Sequence, residues 1–128
     1  MLRSVTLATV VGVIALMPGP ASAQGPATDS ARVEAARRVL RRDLRNFVTA
    51  QESHHSSKRT YARSLREVAE LWTPARGVTI VVLTASDRGH SEVAIHQEIP
   101  DLICAMFIGD VQSPLGTGTE GEVVCKGP

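Results

Sequence analysis

The side chains best suited to binding a ligand in this sequence are four arginines at helical spacing. Arg38, Arg41, Arg42 and Arg45 lie three, four and seven positions apart, so a helix places them on one face. Clustered guanidiniums bind phosphate oxygens, with an affinity that falls as salt rises. Three interpretations stay open: a solvated helix face, which ordinary amphipathicity favours, a contact with a protein partner, and binding of nucleic acid or another polyanion.

Histidine spacing does not favour a metal site, and no motif points to an enzyme. The chain has four histidines: His54, His55, His90 and His96. None is four residues from another, so we expect exposed or singly hydrogen-bonded side chains. His90-Ser91-Glu92 has the H-x-E spacing of zinc deaminases, but the P-C-x-x-C of that signature does not follow. Nucleophile-elbow, phosphate-loop and dinucleotide motifs are missing too, so we predict a non-enzymatic protein without metal or cofactor.

Cys104 and Cys125 are the two cysteines of the chain. In an exported protein an even pair usually forms a disulfide, which would contribute about 3–4 kcal/mol to stability. The alternative is a reactive thiol. The sequence offers little for it, because there is no C-x-x-C and only Lys126 stands nearby to lower a thiol pKa. We predict the disulfide.

Export is expected from residues 1–23, which have the pattern of a secretory signal peptide. Arg3 precedes an uncharged run from Val5 to Met17, and Ala21-Ser22-Ala23 provides a small-residue cleavage site. A membrane-spanning helix needs roughly 20 apolar residues, so we expect no stable membrane insertion after cleavage. The predicted organisation is therefore a signal peptide, a linker at 24–30 and one domain at 31–128, located in the periplasm or outside the cell.

The elements that would position these residues change character along the chain. An apolar stripe with arginines on its other sides predicts a long helix from about Ser30 to His55. Ala62 to Leu71 fits a short second helix, ended by Pro74 and Gly77. The period then becomes two, which predicts antiparallel strands at 78–84, 92–96, 103–108 and 122–126. The first of these is apolar on both faces, as in a well-covered strand. The predicted fold class is α+β, with both helices packed on a roughly four-stranded sheet.

Charge is divided between the two halves of this plan. The whole chain has 14 basic and 13 acidic residues, a formal charge of +1. Residues 31–76 hold 11 basic and 5 acidic residues, whereas residues 78–128 hold 2 basic and 7 acidic residues. The near-neutral total therefore combines a basic helical half with an acidic sheet half.

Several segments, taken in order, resemble the globular domain of type IV pilins and pseudopilins. They are Ala50-Gln51-Glu52 at the helix end, the tyrosine-led segment from Thr60 to Val68, Pro74 to Ile80 at the entry to the first strand, Gly89-His90-Ser91 in the second, and two cysteine segments, Cys104 to Gly109 and Gly121 to Cys125. The resemblance covers about residues 33–126. It implies a pilin-like fold, closed by one disulfide, and an exported location.

One departure from the family bears on function. A pilin keeps a hydrophobic amino-terminal helix after processing, whereas the apolar run here ends in Ala-Ser-Ala. We therefore expect a secreted pilin-like interaction module outside any filament, with the loop from Gly109 to Gly121 as its recognition element. Its expected partners are other envelope proteins or a second copy of the chain. The alternative is a DNA-binding or polyanion-binding envelope protein that uses Arg38, Arg41, Arg42 and Arg45.

Overall fold

A computed structural model describes residues 12–19 and 26–128. Residues 12–19 have no regular secondary structure. Helix α1 (Pro26–Lys58) is followed by strands β1 (Val78–Ala85), β2 (Gly89–His96), β3 (Ile99–Gly109) and β4 (Val124–Lys126). The fold is α+β, as predicted. Most of the predicted signal peptide and the first part of the predicted linker lie outside the described residues, and these boundaries stay predictions.

Helix α1 buries one apolar stripe against the sheet. Its buried residues follow the predicted period: Ala36, Leu40, Leu44, Phe47 and Ala50. Burying a leucine or phenylalanine side chain contributes about 1.5–3 kcal/mol, so this stripe holds the helix in place. The helix begins inside the predicted linker, where Pro26 suits a first helical position. It ends where Arg59 takes a φ of 62° and its N–H reaches the His55 carbonyl at 2.8 Å.

The four strands form one antiparallel sheet in the order β1-β2-β3-β4. Each strand therefore pairs with its neighbour in sequence. Cys104 stands directly opposite Cys125 across β3 and β4, with 4.0 Å between their Cα atoms, and the predicted disulfide is present. The sheet contributes five residues of its helix-facing side to the hydrophobic core: Ile80, Ala94, Leu102, Cys104 and Met106. The described residues therefore form one helix packed on one sheet.

The predicted second helix at 62–71 is wrong, because only a 3-10 turn forms at Leu65–Val68. The chain there is tied to α1 at both ends. The Gln51 amide donates to the Ala62 carbonyl at 2.8 Å and accepts the Ala62 N–H at 2.6 Å. The Asp43 carboxylate accepts the Ala75 N–H at 2.7 Å. Between these anchors the Glu67 carboxylate accepts hydrogen bonds from the Arg63 and Ser64 N–H groups, and only a single helical turn forms.

The prediction that both faces of the first strand are buried is also wrong. Along β1 buried and exposed residues alternate at first, with Val78 and Ile80 buried and Thr79 and Val81 exposed. A register shift between Val82 and Thr84 marks a β-bulge, and Leu83 is exposed there. β1 is an edge strand whose outer face carries apolar side chains that the domain does not bury.

Candidate functional site

The basic face of α1 forms one wall of a cavity beside the last strand. The cavity measures about 400 Å³ and is lined by Glu34, Arg37, Arg38, Arg41 and Cys125. The Arg37 guanidinium pairs with Glu34 and also donates to the Pro128 carbonyl at 2.9 Å. Arg37 is thereby engaged at the rim. The positive charge that remains for a ligand comes from Arg38 and Arg41.

Arg41 has the clearest unused hydrogen-bonding capacity in this cavity. Its Nε is buried and has no hydrogen-bond partner among the described residues. A buried donor without a partner is costly, and the guanidinium groups of Arg38 and Arg41 that line the cavity can donate charge-assisted hydrogen bonds to an anion. The arrangement therefore suits a small anionic group, such as a phosphate or a carboxylate.

The four arginines predicted to share one face do not act together. Arg38 and Arg41 line the cavity. Arg42 turns to Asp43, whose Oδ1 accepts from its Nε at 3.1 Å and its Nη2 at 3.0 Å, and Arg45 is exposed. Arg37, which does not belong to the predicted set, lines the cavity instead of Arg42 and Arg45. Its spacing of four residues from Arg41 was the available signal.

Asp43 is an anchor of the fold as well as a partner for Arg42. Its side chain is buried, with one oxygen on the Arg42 guanidinium and the other on the Ala75 N–H. This role is not apparent from the sequence, since an aspartate beside arginines on a helix usually stays in solvent. Arg42 therefore compensates a buried carboxylate and has less charge to offer a ligand.

The disulfide closes a loop that is fixed at both ends. The Glu120 carboxylate accepts the Gly109 N–H at 2.7 Å, and the Gly121 N–H donates to the Phe107 carbonyl at 3.0 Å. Gly109 has a φ of 78°, and a Cβ there would lie 2.1 Å from the Arg88 carbonyl oxygen, so only glycine fits. Between these ends residues 116–122 are exposed. The loop predicted at 109–121 is present and presents its tip to solvent.

A buried His–Glu pair lies on the helix-facing side of β2. His90 Nδ1 is 2.7 Å from Glu92 Oε2, and neither side chain is exposed to solvent. His90 Nε2 and Glu92 Oε1 have no hydrogen-bond partner among the described residues. Alternate residues of a strand share a face, which brings the two together. The H-x-E spacing in the sequence does not indicate that the pair is buried.

Three rings stack from the protein surface to this pair. Tyr61 lies between His55 and His90, with ring centroids 4.3 Å and 4.6 Å away. Its hydroxyl donates to the Glu52 carboxylate at 3.1 Å, which fastens the loop after α1 to the helix. The pKa of Tyr61 is raised, first by burial and then by its hydrogen bond to Glu52.

Burial also raises the pKa of the Glu92 carboxyl above its ordinary value of 4.5. The hydrogen bond and charge of His90 act in the opposite direction and are the weaker influence. The other three histidines each make one hydrogen bond to backbone, namely His54 with Thr60, His55 with Asp87 and His96 with Glu98. In the described part of the chain no three His, Cys, Asp or Glu side chains are grouped to hold a metal ion.

Two further observations concern the chain as a whole. Within residues 12–19 and 26–128, no helix is both long and apolar enough to cross a membrane. The sequence matches no protein-family model and has no significant similarity to a curated protein.

Proposed function

We propose that this protein is an exported, non-enzymatic domain of the pilin-like kind that binds other envelope proteins through its disulfide-closed loop. The observation that carries the proposal is the loop itself, whose ends are fixed while its tip is exposed. A loop that is ordered before it meets a partner loses less entropy on binding. The disulfide fits an oxidising compartment, which agrees with the predicted signal peptide.

The interior of the loop adds to this rigidity. The Lys126 ammonium donates to the Leu115 carbonyl at 2.9 Å. The Thr119 N–H and hydroxyl both donate to the Glu122 carboxylate, at 3.2 Å and 3.0 Å. The Lys126 contact joins the loop to β4, and the Thr119 contacts brace the loop internally. A partner would therefore meet a preformed surface.

Exchanging the side chains of the loop tests its role directly. With glycine or serine at Pro114, Leu115 and Thr117, we expect Tm to change by less than about 5 °C, because these side chains lie outside the main core and 1 kcal/mol corresponds to about that shift. The same variant should lose the envelope proteins that co-purify with the wild-type domain.

The control for this experiment exchanges Gln97 and Glu98 for serine in the turn between β2 and β3. That variant should keep the co-purifying proteins, because the exposed turn is not part of the loop. A fall in Tm of more than about 10 °C in the loop variant would assign the loop a structural role. Unchanged co-purification would remove it as the recognition element.

A non-enzymatic role is supported by the burial of His90 and Glu92. A histidine beside a carboxylate is a frequent catalytic arrangement, but it must reach the substrate. Both side chains have no exposed surface, and Tyr61 packs over the imidazole. Their placement suits a role in stability.

The arginine-lined cavity favours a second function, which is binding of a polyanion such as DNA. Its support is the positive charge of Arg38 and Arg41, which line a cavity of about 400 Å³. A phosphate there would also receive charge-assisted hydrogen bonds. Glu34 stands at the same cavity but is already paired with Arg37.

The polyanion hypothesis predicts a loss of salt dependence in one variant and not in its control. Replacing Arg38 and Arg41 with glutamine should reduce the magnitude of the negative slope of log K against log salt by about two, since each phosphate contact contributes about 0.9 on duplex DNA. The control, Arg45→Gln with Arg66→Gln, removes the same charge from two exposed side chains. Fluorescence anisotropy with duplex DNA between 50 and 200 mM salt measures both slopes. Equal slopes in the two variants would exclude the cavity as the site.

A further inference from the structure

The free edge of β1 is an open strand edge, separate from the loop and from the arginine cavity. Among the described residues β1 pairs with β2 alone and stands at one end of the sheet. In the part of the chain that the structure describes, the backbone of β1 makes hydrogen bonds to residues outside the sheet only near the two ends of the strand. The Val78 N–H donates to the Ala75 carbonyl at one end, and Ser86 adjoins the other end and is itself hydrogen-bonded. The outward N–H and C=O groups of residues 79–84 are therefore unpaired within the domain.

This edge lacks most features that keep strands from pairing with another chain. Natural edge strands carry charges or proline, or are covered by a loop. The ten residues from Gly77 to Ser86 contain neither a charge nor a proline. Val81 is 45% exposed and Leu83 is 54% exposed, so apolar side chains flank the open backbone. Beside Val82–Ala85 and Arg63 lies a hollow of about 320 Å³, which leaves room at the edge.

We propose that a second copy of this chain pairs antiparallel along the edge, with the twofold axis passing beside Val81. In this register Val81 lies opposite Val81 of the second copy, Ile80 opposite Val82, and Val78 opposite Ala85. The bulge is accommodated, because Leu83 and Thr84 together face Thr79 of the other copy. Each pair then joins residues that point to the same face, which antiparallel pairing requires.

Charge at the two ends of the strand supports this register. Arg76 precedes β1 and Asp87 follows it, and both are exposed. Pairing centred on Val81 brings Arg76 of each copy toward Asp87 of the other, so two opposite-charge contacts close the interface. A shift of the register by two residues would separate these charges and place the bulge against a different partner. The two sheets would join into one of eight strands, with both helices on the same side.

Cysteine cross-linking tests the axis. Val81→Cys places two thiols on residues whose Cα atoms would be about 5 Å apart, within reach of a disulfide. Thr79→Cys is the matched control, because its two copies would be four residues apart along the strands, about 13 Å, which is too far. With diamide as the oxidant, we expect a disulfide-linked dimer of Val81→Cys and at least about tenfold less of it for Thr79→Cys.

A second variant measures the association without added cysteines. Val81→Lys sets two ammonium groups directly opposite each other and should weaken dimerisation by about tenfold or more. Light scattering after size-exclusion chromatography gives the mass of both proteins, and circular dichroism checks that the exposed substitution leaves the fold intact. A wild-type monomer at 100 μM would overturn the proposal. Equal cross-linking of Val81→Cys and Thr79→Cys would overturn it as well.

Discussion

Replacing His90 with leucine is expected to destabilise the domain by about 3 kcal/mol at pH 8. The leucine fills the same space against Tyr61, but it leaves the buried Glu92 carboxylate without its hydrogen-bond partner. An unpaired charge in the interior is among the most costly changes in a protein core. Urea denaturation followed by circular dichroism measures the effect.

The loss should depend on pH in a definite direction. Burial raises the pKa of Glu92 above 4.5, so the folded state keeps a proton that the unfolded chain releases. This contribution to stability is fully present below pH 4.5 and is lost as the pH rises from there through the raised pKa. His90 lowers the pKa of Glu92, so without His90 this pKa is higher still and the protonated carboxyl persists to a higher pH. We therefore expect a smaller loss at pH 5 than at pH 8.

Two further variants isolate the carboxylate. Adding Glu92→Leu to His90→Leu should recover most of the stability at pH 8 and remove the difference in pH dependence, because an apolar pair replaces a broken polar one. His55→Leu is the matched control on the other side of Tyr61, where the imidazole packs on the Tyr61 ring and makes one hydrogen bond, to the exposed Asp87 carbonyl. It should cost about 1 kcal/mol. A double variant no more stable than His90→Leu would contradict this account of the pair.

Removal of the disulfide is expected to have an effect of similar size. Cys104 and Cys125 are 21 residues apart, and closing a loop of that length in the unfolded chain contributes about 3 kcal/mol. For a domain of this size, replacing both cysteines with alanine should lower Tm by about 15 °C. Scanning calorimetry measures the change.

Reduction of the wild-type protein supplies the comparison for the alanine variant. Dithiothreitol should lower the wild-type Tm by a similar amount and leave the variant unchanged. Any loss of stability in the alanine variant beyond that caused by reduction reflects the space left at the fully buried Cys104 position, which the smaller alanine side chain does not fill. If both changes cost less than about 1 kcal/mol, the short pairing of β4 with β3 would be sufficient by itself to hold the end of the chain.

Periodicity predicted the elements that bury an apolar stripe. Leu40, Leu44 and Phe47 lie at the expected places in the core, and the four strands follow in the expected order. The disulfide followed from the number of cysteines and the expected compartment. These features depend on spacing along the chain, which a sequence records.

Features that depend on what lies across from a residue were not predictable in this way. Gln51 and Asp43 looked like ordinary polar residues of a helix, yet each binds backbone of the following segment and limits it to a single turn. β1 looked covered because its composition is apolar, but its place at the sheet edge leaves Val81 exposed. His90 and Glu92 share a face by spacing, whereas their burial follows from the packing of Tyr61 and α1.

The contacts of Gln51 and Asp43 also divide the domain into cooperative units. The connection from Ala62 to Ala75 gets its backbone partners from α1, so it opens when the helix opens. The loop beyond Gly109 gets its partners from β3 and β4 and does not depend on α1 for them. Local unfolding in proteins follows such groupings. The loop and its disulfide can therefore keep their arrangement when the connection from Ala62 to Ala75 separates from α1.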